Sequence, residues 1–219
     1  MPKQLSPDVR DRILDAADRL LTRHGYAGTT ISGLAEECGI GKGSVYLFFT
    51  SKEEVFLALI DRVVDAALEE VERSAGRQLP FADRLHHMLL ARVLRRFDGF
   101  SHYSASLHDL LTALRPTMVR QREGHLSREA ALLSGVIAQG QAAGELAPGD
   151  PDELARALLT ATNSLLPYYL SPAELGDRAA LERRTAAVAH LVSYGLVASP
   201  RPREAREPGD PLVAEALPR

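Results

Sequence analysis

Apolar residues recur every three or four positions along most of the chain, which is the spacing of one face of an α-helix. The first such helix is predicted between Pro7 and Gly25, with Ser6 as its cap and the glycine just past its end. Further helices are predicted over 51–74, 81–97, 101–114, 116–143, 151–169 and 177–198. No stretch alternates apolar and polar residues for long enough to predict a strand, so we expect an all-α fold.

The segment 29–49, between the first two long helices, predicts two short helices joined by a tight turn. Thr30 is placed to cap the first short helix, which runs to about Cys38. Ala35 is small enough to let the two helices cross closely, and Gly39 can supply the positive φ that the turn requires. Together these positions indicate a helix-turn-helix.

The second short helix, over about 42–48, has the residue types of a DNA-reading helix. Two glycines leave its first amides uncovered, and uncovered amides at a helix start attract phosphate oxygens. Lys42, Ser44 and Tyr46 can donate hydrogen bonds to phosphates or to base edges. We therefore predict that this helix enters the major groove of DNA. The alternative is an ordinary helical corner with no nucleic-acid partner.

The overall charge does not by itself indicate a nucleic-acid partner, since 26 basic and 29 acidic residues give a net charge of −3. The distribution of charge is more informative, because positions 40–52 contain Lys42 and Lys52 and no acidic residue. Lys52 lies at the start of the next long helix, where a cation opposes the helix dipole. We therefore expect Lys52 to contact a phosphate.

Several other classes of protein do not fit the sequence. The single cysteine, Cys38, rules out an intrachain disulfide, and no apolar run is long enough for a transmembrane helix. The first ten residues lack the apolar run of a secretory signal, so we expect a cytoplasmic protein. The segment Gly39–Gly43 lacks the preceding strand and the Gly-Lys-Ser/Thr order of a nucleotide-binding loop. With no other catalytic motif present, we expect no enzymatic activity and no cofactor.

The order of these residues resembles the tetracycline-repressor (TetR) family of transcriptional regulators. The matching positions fall within about residues 8–60: Gly25-Tyr26, Thr29-Thr30-Ile31, Leu34-Ala35, Cys38-Gly39-Ile40, Lys42-Gly43-Ser44-Val45-Tyr46, Phe49 and Ser51-Lys52-Glu53-Glu54. The resemblance implies a homodimer that binds double-stranded operator DNA and is released by a small-molecule effector. The DNA contacts that it implies are Thr30, Ser32, Lys42, Gly43, Ser44, Tyr46 and Lys52.

The resemblance also predicts how the chain is divided. We expect a helix-turn-helix DNA-binding domain over 1–52 and a helical regulatory and dimerisation domain over 53–198, coupled by the long helix 51–74. The prolines and charges of residues 199–219 predict a disordered tail. Gly33 departs from the family pattern, since an ordinary helix former is expected there. Phe48 stands where a side chain able to donate a hydrogen bond is common.

Two apolar stripes near the C-terminal end are candidates for the dimer interface. They consist of Ala155, Leu158, Leu159, Thr162 and Leu166 on one helix, and of Thr185, Val188, Ala189, Val192 and Leu196 on the next. The alternative is that both stripes face the core of their own protomer. The family resemblance favours a four-helix interface between protomers.

The helices over 81–170 are where a bundle core can hold an effector pocket. The candidates for its lining are Phe97, Phe100, His102, Tyr103, Leu107, Leu111, His125, Asn163 and Tyr168. The amide of Asn163 can bind a ligand or satisfy a neighbouring side chain, and the second role is the more common one.

Basic residues and histidines are concentrated in the same region. Arg92, Arg95, Arg96, Arg115, Arg120 and Arg122 are expected on a solvated face, the alternative being an acidic ligand such as an acyl-coenzyme A. His86, His87, His102, His108 and His125 suggest a metal site, but no pair has the i, i+4 spacing, so we predict none. The leading hypothesis is a ligand-responsive repressor, with a metal-dependent sensor or a helical protein-interaction module as alternatives.

Overall fold

The structure is a computed structural model, and it describes residues 7–103, 107–166 and 177–198. The regular elements in these residues are helices, as the apolar spacing predicts. They are α1 (Pro7–Gly28), α2 (Ile31–Cys38), α3 (Lys42–Tyr46), α4 (Lys52–Ala75), α5 (Phe81–Phe100), a 3-10 turn (Ser101–Tyr103), α6 (Leu107–Ala142), α7 (Pro151–Asn163) and α8 (Arg178–Tyr194). Across the described residues, no helix is both long and apolar enough to cross a bilayer.

The turns of the N-terminal region form where the sequence predicts them. Gly25 interrupts the helical backbone of α1 with φ 69°, which only glycine adopts readily. The hydroxyl of Thr30 accepts a hydrogen bond from the amide of Gly33 at 3.0 Å and so caps α2. Gly39 ends α2 in the left-handed conformation, with φ 64° and ψ 35°. The predicted helix-turn-helix is therefore present as α2, turn and α3.

The core of the helix-turn-helix region does not stop at residue 52. Buried side chains of α1, α2 and α3 pack in one cluster with the first half of α4, and the same cluster includes Phe100, Tyr103 and Leu107. The hydroxyl of Tyr103 donates a hydrogen bond to the carboxylate of Asp18 in α1. The predicted division at residue 52 therefore does not coincide with a gap in the packing.

The rest of the molecule is a helical bundle in which α5 packs mainly against α4 and α8. One apolar cluster joins the end of α4 to α5, α6, α7 and α8, and a smaller cluster lies around Phe97 and Leu181. The helices α7 and α8 begin next to capping aspartates, since Asp150 accepts from the amide of Asp152 at 2.8 Å and Asp177 accepts from the amide of Ala180 at 2.6 Å. The last residues of the predicted helix 151–169 and the whole predicted tail lie outside the described residues.

The prediction of separate helices over 101–114 and 116–143 is wrong, because α6 runs continuously through Pro116. Proline removes one backbone hydrogen bond and typically costs a helix about 3 kcal/mol. Buried leucines anchor α6 on both sides of it, Leu110 and Leu114 before the proline and Leu133 after it. The packing of α6 against the rest of the bundle therefore outweighs the tendency of Pro116 to break the helix.

Candidate nucleic-acid interface

The helix α3 has one buried side and one exposed side. Val45 is fully buried, whereas Tyr46 is 48% exposed and Leu47 is 67% exposed. Lys42 and Gly43 are exposed as well, and Ser44 is half-buried. Leu47 directly follows the last residue of α3 and keeps helical backbone angles. Helical spacing therefore places Lys42, Gly43, Tyr46 and Leu47 on one side of the helix. We call Lys42, Gly43, Tyr46 and Leu47 the recognition face.

The start of α2 contributes two exposed hydroxyl groups. Thr30 and Ser32 are both exposed. The oxygen of Thr30 accepts from Gly33, but a hydroxyl that accepts one hydrogen bond still has its own proton to donate. Capping α2 and contacting a phosphate are therefore compatible roles for Thr30.

Lys52 has partners within the protein. Its Nζ donates a hydrogen bond to the carbonyl of Tyr26 at 3.0 Å and lies 4.2 Å from the centroid of the Tyr26 ring. Partial burial and the neighbouring carboxylate of Glu53 raise the pKa of Tyr26 to about 12. These contacts explain a cation at the start of α4 without a phosphate. The contact of Lys52 with DNA stays a prediction.

Basic residues of α1 hold α2 in place. Arg12 donates to the carbonyl of Cys38 at 2.8 Å, and Arg19 pairs with Glu37 at 2.7 Å. Cys38 is a buried packing residue, and burial raises the pKa of its thiol. Sequence analysis missed the two arginines, although their spacing along α1 is a detectable signal. It also missed Leu47, whose neighbours Val45, Phe48 and Phe49 make an apolar run that looks like core.

The candidate effector residues do not form one group in the described part of the structure. Phe100, Tyr103 and Leu107 belong to the core cluster that includes α1, and Leu111 packs against it. Phe97 lies in the small cluster near α8. The Nε2 atom of His125 lies 3.3 Å from a carboxylate oxygen of Asp61. The side chain of His102 and all of Tyr168 lie outside the described residues.

Two arginines that were expected on a solvated face are buried. Arg92 and Arg96 are each 1% exposed, which corrects that expectation for these two positions. Both bind the buried carboxylate of Glu129, Arg92 at 3.0 Å and Arg96 at 2.5 Å. Burial raises the pKa of Glu129, but the two guanidinium groups outweigh burial and hold this pKa below its ordinary value.

The same cluster accounts for Asn163. The remaining groups of Arg92 donate to the hydroxyl of Thr162 at 2.8 Å and to the side-chain oxygen of Asn163 at 2.6 Å. The commoner of the two predicted roles of Asn163, satisfying a neighbouring side chain, is therefore the one observed. The cluster of Arg92, Arg96, Glu129, Thr162 and Asn163 joins α5, α6 and α7.

Most of the predicted dimer stripes face the core of their own protomer. The buried members are Ala155, Leu158, Leu159, Thr162, Leu166, Thr185 and Ala189, while Val188, Val192 and Leu196 are half-buried. A side chain that is already covered offers no surface to a second chain. These seven residues therefore match the alternative interpretation, in which the stripes face the core of their own protomer. The exposed large apolar residues of α8 are instead Leu191, at 73%, and Tyr194, at 42%.

Three histidines, two on α5 and one on α8, lie close to one another. The ring of His86 lies 5.8 Å from that of His87 and 6.3 Å from that of His190. Burial, together with these two neighbours, lowers the pKa of His86. Within the described ranges, no group of three histidine, cysteine or acidic side chains is arranged to hold a metal ion.

Comparison with known proteins agrees with this architecture. A family model described as bacterial regulatory proteins, tetR family, matches residues 13–59, which span α2, α3 and the adjoining parts of α1 and α4. The crystal structure of a TetR/AcrR-family transcriptional regulator from Thermobifida fusca has a TM-score of 0.65 at 25% identity, covering 86% of this chain and 98% of that one. Residues 13–59 therefore match the tetR family, and the fold is like that of a TetR/AcrR-family regulator.

Two regulators from Bacillus subtilis match the chain to different extents. The uncharacterised helix-turn-helix regulator YhgD of Bacillus subtilis is 32% identical over 87 residues, which are 40% of this chain and 46% of YhgD. The chain thus matches less than half the length of that relative. The crystal structure of the regulator FadR from Bacillus subtilis in complex with stearoyl-CoA has a TM-score of 0.61 at 18% identity, covering 85% of this chain and 98% of that one. This likeness is one of fold.

Proposed function

We propose that this protein is a transcriptional regulator that binds an operator in double-stranded DNA through α3. The observation that carries the proposal is the recognition face, which combines a cation, a side-chain-free position and an exposed tyrosine with no acidic residue between positions 40 and 52. The exposed hydroxyls of Thr30 and Ser32 can donate to the flanking phosphates. Helix-turn-helix proteins of this kind place the second helix in the major groove.

We further propose that the protein acts as a homodimer and is released from DNA by a small-molecule effector. Leu191 and Tyr194 support an interface on α8, because large apolar side chains at such exposure suit a second copy of the chain. The complex of FadR with stearoyl-CoA supports an effector held by the bundle. Binding would favour a conformer whose two α3 helices no longer match successive major grooves, with α4 as the connecting element.

The direct test starts from selection of bound fragments out of random duplex DNA, followed by affinity measurements at several salt concentrations. A salt-dependent affinity is expected, and Lys42→Ala should reduce the slope of log affinity against log salt by about one unit. A protein that selects no sequence and shows no salt-dependent binding would overturn the proposal.

Two glycines allow a steric test of the same interface. A methyl group at Gly43 or at Gly135 in α6 would meet no atom within 4 Å, so both alanine variants should fold normally. Gly43→Ala should weaken operator binding, because its methyl group lies where DNA would approach the recognition face. Gly135→Ala is the matched control and should bind as the unaltered protein does. Equal affinities for the two variants would remove Gly43 from the interface.

A further inference from the structure

Leu47 is the most exposed large apolar residue of the helix-turn-helix region. Among the described residues up to position 52, the exposed large apolar side chains are Tyr46 and Leu47, and Leu47 is the more exposed, at 67%. The surrounding apolar residues are used in packing, since Val45 and Phe49 are buried and Phe48 is half-buried. The fold of the protomer therefore gives no reason for a leucine at this position.

The position of Leu47 fits a role in the recognition face. Leu47 follows Gly43 by four residues with helical backbone angles, φ −71° and ψ −21°. Side chains on a helix lean toward its N-terminal end, so the side chain of Leu47 covers the surface next to Gly43. Gly43 has no side chain, and its Cβ position is open. A molecule that approaches the helix closely at Gly43 therefore meets the leucine.

The chemistry of the side chain restricts what it can read in DNA. A leucine donates and accepts no hydrogen bond, so neither phosphates nor the polar edges of bases suit it. The apolar group that the major groove presents is the 5-methyl group of thymine, which proteins contact with apolar side chains. We propose that Leu47 is a specificity-determining residue that contacts a thymine methyl group in the operator. The proposal rests on the DNA-binding function proposed above.

The test removes the methyl group from the DNA instead of altering the protein alone. Each thymine of the selected operator is replaced in turn by deoxyuridine, symmetrically in both half-sites, and the affinity is measured for the unaltered protein and for Leu47→Ala. At one position, deoxyuridine should weaken binding of the unaltered protein by about 4-fold per methyl group lost. The same replacement should leave the affinity of Leu47→Ala unchanged.

Leu79→Ala is the matched control, because Leu79 is another exposed leucine, at 39%, in the connection between α4 and α5. This variant should keep the full sensitivity to deoxyuridine. A second outcome is that the unaltered protein binds its operator while deoxyuridine changes its affinity and that of Leu47→Ala equally at every position. That result overturns the inference and leaves the DNA-binding function standing. If Leu47→Ala instead changes the oligomeric state, Leu47 contacts a second copy and the inference is overturned. If no duplex is bound at all, the proposed function itself fails.

Discussion

The helix-turn-helix region and the bundle of α5 to α8 are held together in different ways. In the first, the decisive contacts are local: Thr30 caps α2 by accepting from the amide of Gly33, three residues later, and Gly39 closes the turn that follows. In the second, an ionic cluster connects Arg92 to Glu129 and Asn163, which lie 37 and 71 positions away in the sequence. A contact between residues a few positions apart can be predicted from the sequence, whereas a contact between helices that are far apart in the sequence cannot.

The two regions also differ in what a substitution should do. The N-terminal contacts are partly solvated, and each stabilises the protein modestly. The ionic cluster is closed to water, so removing the charge of Glu129 takes from two buried guanidinium groups the carboxylate that both of them bind. Substitutions at the cluster should therefore have larger effects on stability than substitutions at caps and turns.

The largest effect is expected for Glu129→Gln. This change leaves Arg92 and Arg96 buried without the carboxylate and should lower the free energy of unfolding by about 3–5 kcal/mol at neutral pH. Because the folded-state pKa of Glu129 lies below its ordinary value near 4.5, the stabilisation is complete above that pH. It is lost as the pH falls through the folded-state pKa. Urea unfolding at several pH values should show the difference from the unaltered protein shrinking below pH 4.5.

Glu123→Gln provides the control for that experiment, since Glu123 lies on the same helix and is exposed. Its effect should stay within about 0.5 kcal/mol. If Glu129→Gln behaves like Glu123→Gln, the contrast between the two regions does not hold.

A smaller effect is expected for Thr30→Ala. Loss of the hydroxyl that accepts from the amide of Gly33 should lower the free energy of unfolding by about 1 kcal/mol. Thr22→Ala is the comparison, because Thr22 lies inside α1 and its hydroxyl bonds only the carbonyl of Asp18 one turn earlier. Thermal unfolding of the two variants separates the cap from a general effect of losing a threonine. Similar values for both would argue against the cap.

The smallest effect, and one of opposite sign, is expected for Gly33→Ala. An alanine methyl group here would lie 3.4 Å from the hydroxyl oxygen of Thr30, an ordinary contact, so the change should stabilise the protein by about 0.5–1 kcal/mol. Gly39→Ala also has open space, but the positive φ of Gly39 should make it destabilising by about 1–2 kcal/mol. Denaturant midpoints of both variants check the prediction. Two stabilising glycine replacements would show that Gly39 does not need its conformation.

Local chemistry explains which parts of the molecule could be predicted from sequence. The caps at Thr30, Asp150 and Asp177 and the turn at Gly39 need only the residues beside them. The continuity of α6 through Pro116 could not be predicted, because it depends on leucines that pack against other helices. Among the candidate binding residues, the exposure of Lys42 and Tyr46 follows from helical spacing alone.

Residue type alone is a poor guide to burial where the surrounding side chains decide it. Arg92 and Arg96 look like surface residues until Glu129 is placed beside them. The stripe containing Thr185 and Ala189 has the spacing of an interface, but an inward-facing and an outward-facing stripe have the same spacing. Leu47 shows the opposite case, since it lies in an apolar run and is nevertheless exposed.

The core shared by α1 and the start of α6 determines where the molecule could be cut and rejoined in a chimeric regulator. Residues 1–52 alone, grafted onto a different bundle, would lose their packing against Phe100, Tyr103 and Leu107. Such a hybrid would expose apolar surface of α1 and would lose the hydrogen bond that Tyr103 donates to Asp18. A graft that carries the segment from Phe100 to Leu114 along with the N-terminal helices would keep this packing, so the helix-turn-helix region is portable only together with part of the helical bundle.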